Sequence, residues 1–194
     1  TFSGVLSGDQ LATVTLQGDN AVSFGTTSIA NTATTATAVT VNASTMTAGL
    51  TIDLNGAAGG VETVEGSTVV DDIDATAVSS SGSAYVINTN GGNDVVTVSA
   101  GATSTISGGA GNDTVEIDGA ADVTYNGDAG IDTINVANTV DLSASTVTLT
   151  SVEQIEFEEG ADATDDATLA SSFVDGLSII FTDDANATST EVTV

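Results

Sequence analysis

Aspartates recur every 19 residues through the middle of this chain, at Asp94, Asp113 and Asp132, and the same short pattern follows each of them. The next four residues are Val95-Val96-Thr97-Val98, Thr114-Val115-Glu116-Ile117 and Thr133-Ile134-Asn135-Val136. Positions two and four are branched and apolar, and position three is polar, which is the alternation of a strand with one buried face. A second strand fits the other half of each period, at Thr103–Ser107, Asp122–Asn126 and Asp141–Ser145. Two strands and two turns per period make one coil of a parallel β-roll or β-helix, in which each coil covers the apolar face of its neighbour. Small side chains suit such thin layers. The chain is 40% apolar, with five Phe, two Tyr and no Trp, which favours an all-β fold over a helical bundle.

The turn before the central strand is Gly108-Gly109-Ala110-Gly111-Asn112-Asp113-Thr114-Val115-Glu116. It fits the nonapeptide G-G-x-G-x-D-x-U-x, with U a large apolar residue, at every specified position. Glycines let the backbone bend through left-handed conformations and bring carbonyl oxygens together, and the Asp adds a hard carboxylate oxygen of the kind Ca²⁺ prefers. Worn versions flank it, with Gly92 and Asp94 before and Asp128, Gly130 and Asp132 after. Strands of stacked coils lie ~4.8 Å apart, so the three Asp should form a column with room for Ca²⁺ between rungs. The candidate ligand set is therefore Gly92, Asp94, Gly108, Gly109, Gly111, Asp113, Asp128, Gly130 and Asp132. Asp74, 20 residues before Asp94, is a further candidate, although Asp71-Asp72-Ile73-Asp74 lacks the loop glycines and reads rather as a solvated turn. The alternative for the whole column is an exposed turn ladder in which Asp and Gly serve only turn geometry.

In these residues the sequence resembles the RTX (repeats-in-toxin) family of secreted bacterial proteins. The segment Val152-Glu153-Gln154-Ile155-Glu156-Phe157 is similar to the V-E-x-[IL]-x-F stretch that closes calcium-repeat arrays in RTX and surface-layer proteins, and predicts one more coil. The resemblance spans roughly residues 50–160. It implies Ca²⁺ as the bound ion and an extracellular location at the bacterial cell surface. It implies no toxin activity, because proteases, lipases, toxins and surface-layer proteins all carry such repeats.

Charge excludes several functions. There are 27 Asp and Glu and no Lys, Arg or His, giving a net charge of -27 at pH 7. Side-chain salt bridges are impossible, and the charge must be screened or neutralised by bound cations. Phosphate contacts to nucleic acid and attraction to anionic membranes both fail for want of a basic residue. No apolar window is long enough to span a bilayer. Cysteine is absent, so there are neither disulfides nor thiolate metal sites. Thr1-Phe2-Ser3-Gly4-Val5-Leu6 lacks the basic and apolar regions of a signal peptide, and the opening Thr suggests a processed product or a fragment.

Three regions are expected. Residues 1–49 should contain β-strands, with a hairpin from Leu11–Leu16 and Ala21–Phe24. Residues 50–160 should form the calcium-binding solenoid, with Asn55-Gly56-Ala57-Ala58-Gly59-Gly60 as a worn loop and Glu62 where Asp would sit. Residues 161–194 should cap its end with a short helix over Asp166–Asp175 and a hairpin from Leu177–Thr182 and Thr188–Val194, and in RTX relatives the extreme C-terminus also carries a secretion signal.

The function expected is a calcium-dependent structural subunit of a surface layer or extracellular filament. It would self-associate into a lattice or fibre through cation-bridged or strand-edge contacts. An adhesin is the main alternative. An enzyme is disfavoured, since lyase chemistry calls for a cation or high-pKa base and few aromatics exist to stack sugars. Ice binding would need a Thr-x-Thr ladder, and Thr13-Val14-Thr15 and Thr146-Val147-Thr148 look too scattered to supply one per coil.

Overall fold

Among the described residues, alternating β-branched strands pair only in parallel, and they build a β-solenoid. The computed structural model describes residues 6–7, 12–24, 29–30, 38–56, 61–78, 84–137, 140–157, 166–168, 180–183 and 191–193. A long sheet holds, in order, β1 (Leu6–Ser7), β4 (Ile29–Ala30), β6 (Leu50–Gly56), β8 (Asp72–Val78), β10 (Val95–Val98), β12 (Thr114–Ile117), β14 (Thr133–Val136), β16 (Gln154–Phe157) and β18 (Ile180–Asp183). Beside β6 lies β3 (Val22–Ser23). A short sheet holds β15 (Val147–Thr150), β13 (Asp122–Ala129), β11 (Thr103–Ala110), β9 (Ala84–Asn88), β7 (Val61–Glu65), β5 (Val39–Asn42) and β2 (Thr13–Thr15). From β5 to β16 the chain alternates between the two sheets, so each strand is the crossover that makes the next parallel pair possible.

The core lies between the sheets as rows of like residues. Along the long sheet Ile52, Ile73, Val96, Val115, Ile134 and Ile155 stand in register, all buried. Facing them, Val41, Val64, Ile87, Ile106, Tyr125 and Leu149 form a row of the short sheet. Burying a Val or Ile side chain is worth roughly 1.5–3 kcal/mol, so the stacked rows, repeated coil after coil, supply the drive for folding.

The period of 19 holds where Asp94 meets Asp113 and Asp113 meets Asp132. It lengthens to 23 below and to 21 above. The short sheet stretches to 24 beyond β13, because Asp122 is matched by Thr146. Asp141–Ser145 is accordingly a bridge and turn, not the predicted strand, and β15 takes that place.

Other expectations are corrected. The N-terminal hairpin does not form: β2 pairs with β5 and β3 with β6, both in parallel and in different sheets. Glu62 is no loop ligand, since it lies in β7, buried and in register with Tyr85. Residues 57–60 lie outside the described residues. In the predicted cap, Asp166–Thr168 is strand β17 instead of the start of a helix, and it pairs in parallel with β19 (Glu191–Thr193) while β18 joins β16. Among the described residues the two tail strands therefore do not pair with each other, and positions 169–175 of the predicted helix lie outside the described residues. Among the described residues no helix is long and apolar enough to cross a membrane.

The threonines prove ordered. Thr13, Thr40, Thr63, Val86, Thr105, Thr124 and Thr148 occupy one row of the short sheet's outer face. Unequal coil lengths scatter them in sequence, and the register gathers them.

Candidate metal centre

The five loops from β7–β8 to β15–β16 that lead from the short sheet to the long one each end on a buried or half-buried acid, two positions before a buried apolar residue. The series is Asp71 before Ile73, Asp94 before Val96, Asp113 before Val115, Asp132 before Ile134 and Glu153 before Ile155. Every acid caps the backbone one coil below. Asp71 Oδ1 accepts the Leu50 N–H at 2.7 Å, and Asp94 Oδ1 accepts the Asp71 N–H at 2.7 Å. Asp113 Oδ1 accepts the Asp94 N–H, Asp132 Oδ1 the Asp113 N–H and Glu153 Oε2 the Asp132 N–H, each at 2.9 Å. One oxygen per rung is thereby spent on turn geometry, and the expectation of ions held simply between whole carboxylates must change.

The second oxygen is the informative one. Oδ2 of Asp113 and Asp132 is buried and accepts no hydrogen bond, while the buried Asp94 carboxyl has the Thr89 hydroxyl beside it. Glycines make room for it: a Cβ on Gly108 would meet Asp113 Oδ2 and the Gly127 carbonyl oxygen together. A Cβ on Gly127 would likewise meet Asp132 Oδ2 and the Ser151 carbonyl oxygen. A carboxylate oxygen and a carbonyl oxygen thus crowd one small space, and neither carries a proton to offer the other. Burial pushes the carboxyls of Asp94 and Asp132 up to about 6 against the lowering effect of their N–H partners, and raises Asp113 as well. The fold places an acceptor-lined gap where a cation or a proton is wanted.

The stacking of these loops explains their other residues. Gly111 has φ +135°, and a Cβ there would run into the Gly92 carbonyl oxygen, as one on Gly130 would into that of Gly111. Gly92 has φ +140° and belongs to the same file. One file over, φ is also positive at Asn90, Gly109 and Asp128, and Asn and Asp tolerate that region better than other side chains. Asp128 therefore takes a backbone role. Its exposed carboxylate accepts bonds from the Ser107 hydroxyl at 2.7 Å and the Asn126 amide at 2.6 Å, away from the column. Asn93 Oδ1 accepts the Asn112 N–H and Asn112 Oδ1 the Ile131 N–H, a second ladder outside the first.

Asp74 does not join the column. It sits on the outer face of β8 in register with Asp53 and Thr97, and its Oδ1 accepts from the Thr76 hydroxyl and N–H. The rung belongs to Asp71, and Glu153 supplies another the sequence reading passed over. The signal was available: an acid two places before a large apolar residue holds at Asp71 and Glu153, whereas Asp74 is followed by Ala75 and Thr76.

No three carboxylates converge on one point among the described residues. The donor set that does converge, one carboxylate oxygen per rung with main-chain carbonyls, is the hard-oxygen kind that suits Ca²⁺ rather than thiophilic metals. Asp113 with the Gly127 carbonyl, and Asp132 with the Ser151 carbonyl, could each hold such an ion. Comparison with protein-family models, curated proteins and solved structures finds no match to this chain.

Proposed function

We propose that this chain is a calcium-rigidified structural subunit of a bacterial surface layer or extracellular filament, of the RTX type. The observation that carries it is the pair of buried, unpartnered Oδ2 atoms of Asp113 and Asp132, each crowded beside a carbonyl oxygen that can offer it no proton. An ion bound there would cancel repulsion within the loops and tie successive coils together, so that binding and folding are one event. It would also offset part of the -27 charge, which no basic residue of the chain can do. The role is non-catalytic, and secretion and self-association into a lattice or fibre belong to the same proposal. Circular dichroism in chelator and in millimolar calcium tests the ion: the far-ultraviolet spectrum should change from largely disordered to β, and an unchanged spectrum defeats the proposal. Electron microscopy of the calcium form then separates regular sheets or fibres from the dispersed monomers expected of an adhesin.

A second reading rests on the threonine row. Six Thr and the isosteric Val86 lie at the strand spacing of ~4.8 Å on one face of a parallel sheet, presenting hydroxyls and methyls in a regular file. Such a face can order water into a lattice, which is how a protein binds ice. A gap between the melting and freezing points of ice in dilute protein is then expected, and coincidence of the two points removes this reading.

A further inference from the structure

The rungs of the acid column are not chemically alike, and the difference marks where ions stop. We infer that the Ser67 hydroxyl takes the place of the cation at Asp71, and the Thr89 side chain fills its space at Asp94, so that the ion column begins at Asp113. This rests on the calcium reading for the rungs above. Asp71 is fully satisfied by protein donors. Its Oδ1 accepts the Leu50 N–H and the Ser67 hydroxyl, each at 2.7 Å, and its Oδ2 accepts the Ser67 N–H at 2.6 Å. The Ser67 hydroxyl is also 2.9 Å from the Val69 carbonyl oxygen, but a carboxylate is the stronger acceptor and takes the proton. Ser67 is completely buried, so no water is needed to complete the set. The loop agrees with its chemistry. No residue from 66 to 71 has a positive φ, whereas the loops above carry Gly109 with Gly111 and Asp128 with Gly130 in that region.

Asp94 is a different case. Gly66, Gly108 and Gly127 open the other loops, and Thr89 stands in their file, fully buried. Its hydroxyl donates to the Gly108 carbonyl oxygen at 2.6 Å. The counterparts of that carbonyl one and two rungs higher are those of Gly127 and Ser151, which face Asp113 Oδ2 and Asp132 Oδ2. At Asp94 a methyl and a hydroxyl thus occupy the space left open above, and the carbonyl already has its donor. Coils built on β5 to β8 then need no ion, and they form a preassembled base on which the ion-dependent coils stack.

Native mass spectrometry in millimolar calcium and hydrogen exchange of the whole chain test this. Wild type should hold one ion for each of Asp113 and Asp132, and Thr89→Gly, which restores the loop glycine, should gain one more. Calcium should raise the protection of the Asp113 and Asp132 amides by about a hundred-fold at a hundred times Kd, while the Leu50 and Ser67 amides, protected already in chelator, change by less than about two-fold. Ser67→Ala should cost the Leu50 amide about ten-fold in protection in chelator by leaving Asp71 short of donors. Wild type loaded at every rung, equal uptake by wild type and a folded Thr89→Gly chain, or Leu50 protection that appears only with calcium would each overturn the inference. Zero uptake by both chains, with no calcium response anywhere, would instead sink the calcium reading beneath it.

Discussion

Asp113→Asn should melt higher than wild type in chelator and lower than wild type in saturating calcium. Asparagine keeps a carbonyl oxygen where Asp113 Oδ1 accepts the Asp94 N–H, so the cap on the coil below survives. It replaces the unpartnered Oδ2 with an amide donor aimed at the space shared with the Gly127 carbonyl oxygen. Relieving a buried unsatisfied group is worth about 1–3 kcal/mol, and each kilocalorie moves the melting point of a chain of this size by about 2–4 °C. With calcium the sign reverses, because the variant forfeits a charged ligand and with it a linkage term of about 2.7 kcal/mol when the ion stands at a hundred times Kd. Asp113→Ala separates the two jobs of the residue. It orphans the Asp94 N–H as well, so it should lose about 1–3 kcal/mol in chelator, on the opposite side of wild type from asparagine. Thermal melting of the three chains with and without calcium reads all of this. If asparagine and alanine fall together in chelator, the empty Oδ2 is no burden and the gap has no call for a cation.

The sequence shows the central coils plainly because two independent periods coincide there: the 19-residue spacing of Asp94, Asp113 and Asp132, and the two-residue alternation of the strands that follow. Once the coils lengthen, spacing alone misleads. Counting back from Asp94 points to Asp74, whereas the rung is Asp71, and only the phase of Ile73 distinguishes them. Short alternating segments carry no mark of their partner. Thr13–Thr15 and Val22–Ser23 flank a turn as a hairpin would, yet they lie in different sheets, and the residues that β2 pairs with begin at Thr40. The threonine row was hidden for the same reason, since its members share a register and not an interval. Asp128 misled in another way. A carboxylate in a glycine-rich loop reads as a ligand, but the left-handed φ of that position turns its side chain out to solvent.

Stability in chelator should fall as pH rises from about 4 to about 6 and level off above that. Burial holds the Asp94 and Asp132 carboxyls at about 6 in the fold, against 3.8 as their ordinary value. The folded chain therefore binds these protons more tightly than the unfolded one, so their stabilising contribution is complete below about 3.8 and is lost as pH climbs through the folded value. Asp113 and Asp71 are raised by burial in the same direction. A protonated Oδ2 carries the hydrogen that the carbonyl opposite lacks, which is the structural meaning of the shift. The assignment is unusually clean because the chain has no His, so no other side chain ordinarily titrates near 6. Calcium should invert the curve: the ion competes with the proton for the same oxygen, binds weakly below the carboxyl titration and stabilises above it. Melting curves taken across this range should thus slope in opposite directions with and without calcium and converge at low pH. A chelator curve that stays flat between about pH 4 and 6 would mean that the column acids are hydrated and unshifted, leaving neither proton nor cation anything to satisfy.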